Sequence, residues 1–253
     1  MAQNTFERLE KKLLISNDKV PEFIEKITPY MNPDEYNKNG QPYMICNLYF
    51  DNDNDDVIRT SVMKPKYKEK LRLRSYGVPN SDSTVFIELK KKLNGVGTKR
   101  RAKLTLAEAE SYIHTGVHPQ KLKYIDEQVL REIDYFIKVN KVYPKVYISY
   151  MRNAYFGKDD SNFRITIDRD IVTRRYDLSL QSGCYGDSLL PQGKTLLEIK
   201  FEGVVPLWFS KIFNELGLSF GTYSKYGSEF NEYKKNQVIG LLNTQPKTEV
   251  SVQ

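Results

Sequence analysis

Charged side chains occupy every second position in several β-rich segments of the sequence. In one of them, Lys70, Arg72 and Arg74 alternate with Leu71 and Leu73. Side chains two residues apart on a strand point to the same face, so such a strand would present three cations together. The same spacing groups charges elsewhere: Glu10 with Lys12, Glu88 with Lys90, Lys99 with Arg101 and Lys103, Arg164 with Asp168, and Glu198 with Lys200.

These charged faces could together form a binding site for a polyanion. A charged face on one half-buried strand is ordinary, but its repetition indicates a charged interior shared by several strands. Two cations about 6 Å apart repel by roughly 2.8 kcal/mol at an effective dielectric of about 20, so several in one channel favour an anion that contacts them all. The interspersed glutamates could hold Mg²⁺ or Mn²⁺, which prefer oxygen ligands and offset developing charge in phosphoryl transfer.

Strands must position these charges, and the pattern predicts about eight of them. The predicted strands are 6–15, 43–51, 68–77, 84–92, 99–106, 145–155, 162–173 and 194–202. The predicted helices are 18–30, 106–113, 121–139, 206–216 and 229–242. The pair Asn94-Gly95 predicts a hairpin turn. Since few strands alternate with helices, the pattern favours an antiparallel α+β domain, an arrangement that can close into a barrel.

The composition supports a folded protein with an anionic partner. The 253 residues are 40% hydrophobic and 12% aromatic, enough to bury a sizeable core, and Lys plus Arg exceed Asp plus Glu by 39 to 32. The two cysteines, Cys46 and Cys184, are too few for a disulfide framework. No apolar run approaches the roughly 20 residues of a membrane span, and the first residues lack a signal-peptide pattern, so we expect a cytoplasmic location. We predict one domain over 1–242 and a polar tail over 243–253.

Ten short motifs follow one another along the chain. They are RLEKKLLI at 8–15, NLYFD at 47–51, KLRLR at 70–74, FIELK at 86–90, KRR at 99–101, SYMR at 149–152, FRITID at 163–168, LEIK at 197–200, VPLW at 205–208 and SKY at 224–226. Their order resembles the VTC domain, the polyphosphate polymerase domain of the vacuolar transporter chaperone complex and its bacterial relatives. That family sits within the triphosphate tunnel metalloenzymes, alongside the CYTH proteins. The resemblance extends from the first strand to about Phe230.

The resemblance implies a fold, a reaction and a set of site residues. The implied fold is a closed antiparallel β-barrel of about eight strands with flanking helices, whose bore holds the triphosphate of ATP. The implied reaction is attack of a growing polyphosphate chain on the γ-phosphate of ATP, with Mn²⁺ or Mg²⁺ as cofactor and no side-chain nucleophile. The implied catalytic residues are Arg72, Arg74, Arg152 and Arg164. The implied phosphate-binding residues are Lys12, Lys70, Lys90, Lys99, Arg101, Lys200 and Lys225, and the implied metal ligands are Glu198, Glu10 and Glu88.

Three other functions fit the same charges. A tripolyphosphate or nucleoside-triphosphate hydrolase would use the same tunnel with water as acceptor, and a non-catalytic module would bind polyphosphate without turnover. General nucleic-acid binding through surface charge is the third. The sequence has no RNP-like or basic-helix signature, so we expect ATP and polyphosphate as partners and no nucleic acid. It also has no SPX-type sensor and no membrane segment, both present in the eukaryotic complex, so a membrane partner would be a separate protein.

Overall fold

The computed structural model describes residues 8–37, 40–120 and 122–244. From residue 245 onward, the predicted polar tail lies outside the described residues. The strands are β1 (Arg8–Ser16), β2 (Met31–Pro33), β3 (Tyr43–Asp51), β4 (Tyr67–Tyr76), β5 (Thr84–Leu93), β6 (Val96–Thr105), β7 (Tyr143–Gly157), β8 (Arg164–Arg174), β9 (Asp187–Ser188) and β10 (Lys194–Glu202). The helices are α1 (Val20–Ile27), α2 (Asp56–Val62), α3 (Leu106–Thr115), α4 (Tyr124–Asn140), α5 (Leu207–Glu215) and α6 (Lys225–Thr244).

The strands form one antiparallel sheet that does not close on itself. Its order is β1-β10-β8-β7-β3-β4-β5-β6, and the short strands β2 and β9 pair with β7 and β8. Within the described residues, β1 and β6 end this order and do not pair with each other. The prediction of a closed barrel is therefore wrong, whereas the α+β class, the antiparallel sheet and the flanking helices are confirmed.

Both end strands make hydrogen bonds to other parts of the chain along their outer edges. The N–H of Gly221 donates to the carbonyl of Lys12 in β1 at 2.7 Å. On β6, the N–H of Lys103 donates to Oδ1 of Asp126 in α4 at 3.1 Å. These contacts satisfy backbone groups that a β1–β6 ladder would need.

The open sheet nevertheless curls until its two sides meet through side chains. Five strands separate β1 from β5 in the order. Even so, Nζ of Lys90 in β5 lies 3.8 Å from Oε2 of Glu10 in β1. The inner face of the sheet therefore encloses a cavity, with an ion pair where a barrel would have a backbone ladder.

Two apolar clusters lie on the outer face of the sheet, against the helices. In one, Leu71 and Ile87 pack with Ile133 of α4. In the other, Ile165 packs with Phe209 of α5. This arrangement follows from the alternation in the strands, because the apolar positions face the helices when the charged positions face inward.

A third apolar cluster lies on the inner face and joins the sheet to α6. It contains Ile45 and Ile148 from the sheet together with Tyr226 and Phe230 of α6. Helix α6 begins at Lys225, four residues before the predicted start. The first turn of α6 therefore enters the concave side of the sheet.

The predicted β5–β6 hairpin is confirmed. Asn94 and Gly95 have φ values of 48° and 94°, as a type I′ turn requires. The structure adds α2, β2 and β9, which the sequence pattern did not predict. No described helix combines the length and apolar character needed to cross a membrane.

Candidate functional site

The inner face of the sheet and the first turn of α6 line a cavity of about 150 Å³. One water molecule needs only about 10–15 Å³ on this measure, so the cavity has room for several waters or for a small polar ligand. Among the described residues, its lining includes eight cations and three carboxylates and no aliphatic side chain. The lining residues are Glu10, Lys12, Tyr49, Lys70, Arg72, Arg74, Glu88, Lys90, Tyr150, Arg152, Glu198, Lys200, Ser224, Lys225 and Tyr226.

On the β4–β5 side of the cavity, two arginines flank a buried carboxylate. Arg72 donates to Oε2 of Glu88 from Nε at 2.8 Å, and its Nη2 lies 2.7 Å from the same oxygen. Arg74 donates to Asn47 at 2.9 Å and to the hydroxyl of Tyr150 at 3.1 Å. Burial disfavours ionisation of Glu88, but Arg72 and Arg74 outweigh it and lower the pKa of Glu88. These contacts fix both guanidinium groups in place before any ligand binds.

On the β1–β10 side, one ammonium group lies between two carboxylates. Nζ of Lys12 is 3.0 Å from Oε1 of Glu10 and 3.0 Å from Oε1 of Glu198. Burial opposes the charge on Lys12, yet the two carboxylates outweigh it and raise the pKa of Lys12. The register explains the meeting, since Lys12 pairs with Glu198 and both face inward.

A buried ion cluster connects this side to α6. Arg152 donates to both oxygens of Asp168, at 2.6 and 2.7 Å. Nζ of Lys225 lies 2.6 Å from Oδ2 of Asp168 and 2.8 Å from Oε1 of Glu198. Asp168 is fully buried, and burial would raise its pKa, but Arg152 and Lys225 hold it below its usual value. The cluster anchors Lys225 at the start of α6, where its charge would otherwise oppose the helix dipole.

Two lysines in the cavity have too few compensating charges. The pKa of Lys70 is lowered to about 8, first by burial and then by repulsion from Lys68 and Lys90. Burial, assisted by Arg152, also lowers the pKa of Lys200 to about 8. An anion in the cavity would stabilise the charged form of both lysines.

The hydroxyl group of Tyr49 lies in an unusual environment. Nη1 of Arg72 donates to its hydroxyl oxygen at 3.1 Å. Burial disfavours the phenolate, but Arg72 and Arg74 outweigh burial and lower the pKa of Tyr49 to about 8. The same positive field that stabilises a phenolate would stabilise a phosphate oxygen.

Two of the three predicted metal ligands, Glu10 and Glu198, contact the same ammonium group of Lys12. Burial opposes ionisation of Glu10, but Lys12 and Lys90 lower its pKa to about 2, and the pKa of Glu198 is also well below its usual value. Ionised carboxylates suit Mg²⁺ and Mn²⁺, and Mg²⁺ commonly takes one or two of them together with phosphate oxygens. Glu10 and Glu198 fit that pattern.

The third predicted ligand lies apart from this pair. Glu88 pairs with Arg72 and, at 3.4 Å, with Nζ of Lys99. Within the described part of the chain, no group of three or more acidic, histidine or cysteine side chains is arranged to hold a metal. The three predicted metal ligands thus comprise one pair, Glu10 and Glu198 beside Lys12, and Glu88, which is held separately by Arg72.

Eleven of the fourteen predicted site residues line the cavity. Lys99 lies beside it and contacts Glu88. Arg101 is exposed, with its guanidinium carbon 4.7 Å from the ring centre of Phe86. Arg164 is exposed near the start of β8 and does not contribute to the lining.

Sequence reasoning missed the most buried acid and the hydroxyl groups of the site. Asp168 follows Thr166 on the charged face, and its position in that alternation was a usable signal. Tyr49 and Tyr150 occur in segments that read as ordinary apolar strands. Their polar role depends on contacts with β4 and could not be read from their own strands.

Known proteins resemble this chain in sequence and in fold. A family model described as the VTC domain matches residues 7–232. A solved structure of a proposed adenylate cyclase from Bacillus halodurans has a TM-score of 0.51 and 16% identity, covering 87% of this chain and 94% of that chain. A proposed adenylyl cyclase from Hippeastrum, in which a dominant triphosphatase activity is described, has a TM-score of 0.46 and 15% identity, covering 87% of this chain and 93% of that chain.

Proposed function

Because the chain belongs to the VTC domain family, we propose that it is a polyphosphate polymerase that transfers the γ-phosphate of ATP to a growing polyphosphate chain. The observation that carries this proposal is the lining of the cavity, where eight cations face three carboxylates among the described residues. A linear polyanion would compensate many of these charges at once. The lowered pKa values of Lys70 and Lys200 support the same conclusion, because they indicate charge that the protein alone does not compensate.

The cavity offers electrostatic catalysis rather than covalent catalysis. Phosphoryl transfer spreads negative charge over the transferring group, and catalysis depends on positioning and on compensating that charge. Arg72 and Arg74 are held by hydrogen bonds in the unliganded protein. The attacking phosphate of the growing chain is already an anion, so the reaction requires no side-chain nucleophile.

Glu10 and Glu198 would hold the divalent cation. When bound, such a cation supplies charge neutralisation to phosphate oxygens. Nζ of Lys12 lies between the two carboxylates. In this proposal, Lys12 compensates the carboxylates in the unliganded protein and contacts phosphate in the complex.

Product analysis tests the proposal directly. Purified protein is incubated with ATP and Mn²⁺ or Mg²⁺, and ADP, orthophosphate and polymer are separated. We expect ADP and long phosphate chains. Orthophosphate as the sole phosphate product would instead identify a hydrolase, and salt-sensitive polyphosphate binding without turnover would identify a binding module.

A matched pair of lysine variants locates the reaction. Lys200→Met removes one cation from the cavity lining, whereas Lys211→Met removes an exposed cation on α5. We expect polymer synthesis to fall about tenfold or more in the first variant and to stay unchanged in the second. An equal response in both variants would contradict synthesis inside the cavity.

A further inference from the structure

A partly exposed cluster of three tyrosines lies next to the cavity, with Tyr43 and Tyr76 on the inner face of the sheet and Tyr36 on the turn after β2. We infer that Tyr36, Tyr43 and Tyr76 are a stacking platform for the base of the bound nucleoside triphosphate. This inference rests on the proposed function for the phosphate site and adds a separate subsite for the nucleoside. It also assigns a role to side chains that phosphate binding alone does not use.

The cluster has the geometry of a stacking surface. The rings of Tyr36 and Tyr76 are nearly parallel, with centroids 5.1 Å apart and an interplanar angle of 12°. Tyr43 lies 5.5 Å from Tyr36, and Phe86 meets Tyr76 edge-on. Tyr36 is 53% exposed and Tyr76 is 37% exposed. Aromatic surface therefore remains available to a base, and base stacking on such surfaces tolerates any base identity.

The platform continues directly from the cationic lining of the cavity. Tyr76 comes two residues after Arg74 on the same face of β4, about 7 Å along the strand. Tyr43 lies opposite Arg152 in the β3–β7 register, and directly opposed side chains on one face have Cβ atoms about 5 Å apart. A ligand with a phosphate tail on these arginines could therefore place its other end on the tyrosines.

Hydrogen bonds hold the platform in position without a ligand. The hydroxyl of Tyr43 donates to Oδ2 of Asp34 at 2.8 Å. The turn that carries Tyr36 is fixed by Asn37, which is fully buried and is bound by the side chain of Asn153 at 2.7 Å. A preformed surface loses little conformational entropy on binding. The occupant of the tyrosine platform is a nucleobase, because the cations next to the platform would bind the phosphates of the same molecule.

Comparing a nucleotide with an inorganic ligand isolates the platform. ATP and tripolyphosphate are titrated separately, without divalent metal, into the full chain and into Tyr36→Ala and Tyr36→Phe. Tyr30→Ala is the matched control, because Tyr30 is 41% exposed and stacks on Trp208 in the outer groove between α1 and α5. We expect Tyr36→Ala to weaken ATP binding by about 5- to 100-fold and to leave tripolyphosphate binding within twofold.

The remaining outcomes separate this inference from the proposed function. Restoration of ATP affinity by Tyr36→Phe, with no effect of Tyr30→Ala, supports stacking. Unchanged ATP affinity in Tyr36→Ala, or equal weakening of both ligands, would overturn the platform while leaving the phosphate site intact. Failure of the unmodified protein to bind either ligand would overturn the phosphate site, and the platform with it.

Discussion

At the scale of single residues, the charge state of Lys70 and Lys200 should control anion affinity. Both pKa values are about 8 in the unliganded protein, and a bound anion would raise them. Near and above pH 8, anion binding is therefore accompanied by proton uptake on Lys70 and Lys200. The affinity for the anion falls as the pH rises from 7 to 9, because more of these lysines must be protonated on binding. We expect a loss of about 10- to 100-fold for tripolyphosphate, since each unit of pKa change corresponds to a factor of ten. Ionisation of Tyr49 acts in the same direction.

Calorimetry in buffers of different ionisation enthalpy measures that proton uptake. The double variant Lys70→Met and Lys200→Met is the control, because it removes both titrating ammonium groups and retains Tyr49 and the titration of the ligand itself. It should bind more weakly at pH 7 and show a shallower dependence on pH. Identical slopes for the two proteins would show that these lysines do not control affinity.

Glu198 should separate turnover from binding. Glu198→Gln removes a carboxylate of the proposed metal pair and makes the cavity more positive. We therefore expect turnover to fall roughly 100-fold or more, while affinity for tripolyphosphate is retained or increases. Rates across a Mn²⁺ titration, together with ligand binding, distinguish the two effects. Glu215→Gln, which changes an exposed glutamate paired with Lys26, should behave as the unmodified protein, and an unchanged rate in Glu198→Gln would refute the metal assignment.

The sequence predicted most of the charged residues that line the cavity because their signal is local. Alternation with period two places Lys70, Arg72 and Arg74 on one face without reference to any other strand. The meeting of Glu10 with Glu198 and the separation of Glu88 depend on strand order and curvature. Those properties arise from long-range pairing, and the spacing within one segment does not encode them.

At the scale of elements, a second buried ion cluster, centred on Arg175, holds α6 against the neighbourhood of α2. Arg175 contacts Glu229 of α6 through two hydrogen bonds of 2.7 and 3.0 Å, and Asp55 beside α2 through one of 2.8 Å. Both acids are almost fully buried. The sequence did not predict α2 or the early start of α6, since both depend on such distant partners.

Arg175→Ala should destabilise the fold by about 3–5 kcal/mol at neutral pH, because it leaves Glu229 and Asp55 buried without their cation. Burial already raises the pKa of Glu229 despite Arg175, and loss of the arginine raises it further. Since protonation relieves the buried charge, the destabilisation should shrink as the pH falls through that raised pKa. Denaturant unfolding at pH 7 and pH 5 measures this difference. Arg131→Ala, which breaks an exposed pair with Glu127 on α4, should cost less than about 1 kcal/mol at both pH values, and a pH-independent loss for Arg175→Ala would contradict the explanation.

At the scale of the whole molecule, the sheet forms an incompletely closed ring around the cavity. The strand pattern favoured an antiparallel α+β domain, and the family resemblance implied that its sheet closes into a barrel. Neither could reveal the outer-edge contacts of Gly221 and Asp126, which come from distant parts of the chain. Closure at this point is therefore electrostatic, through Lys90 and Glu10, and is weaker than a backbone ladder.

A polyanion in the cavity should tighten this closure, because it contacts cations on both sides of the gap. Tripolyphosphate at about 100 times its dissociation constant should stabilise the fold by about 2.7 kcal/mol. Beyond this global effect, hydrogen exchange should slow most in β1 and β5, where local opening separates the two sides, and less in α4 on the outer face. Exchange measured by mass spectrometry with and without ligand tests the difference, with the Lys70→Met and Lys200→Met double variant as the control. Equal slowing in α4 and in the two strands would mean that the ligand stabilises the fold without bridging the gap.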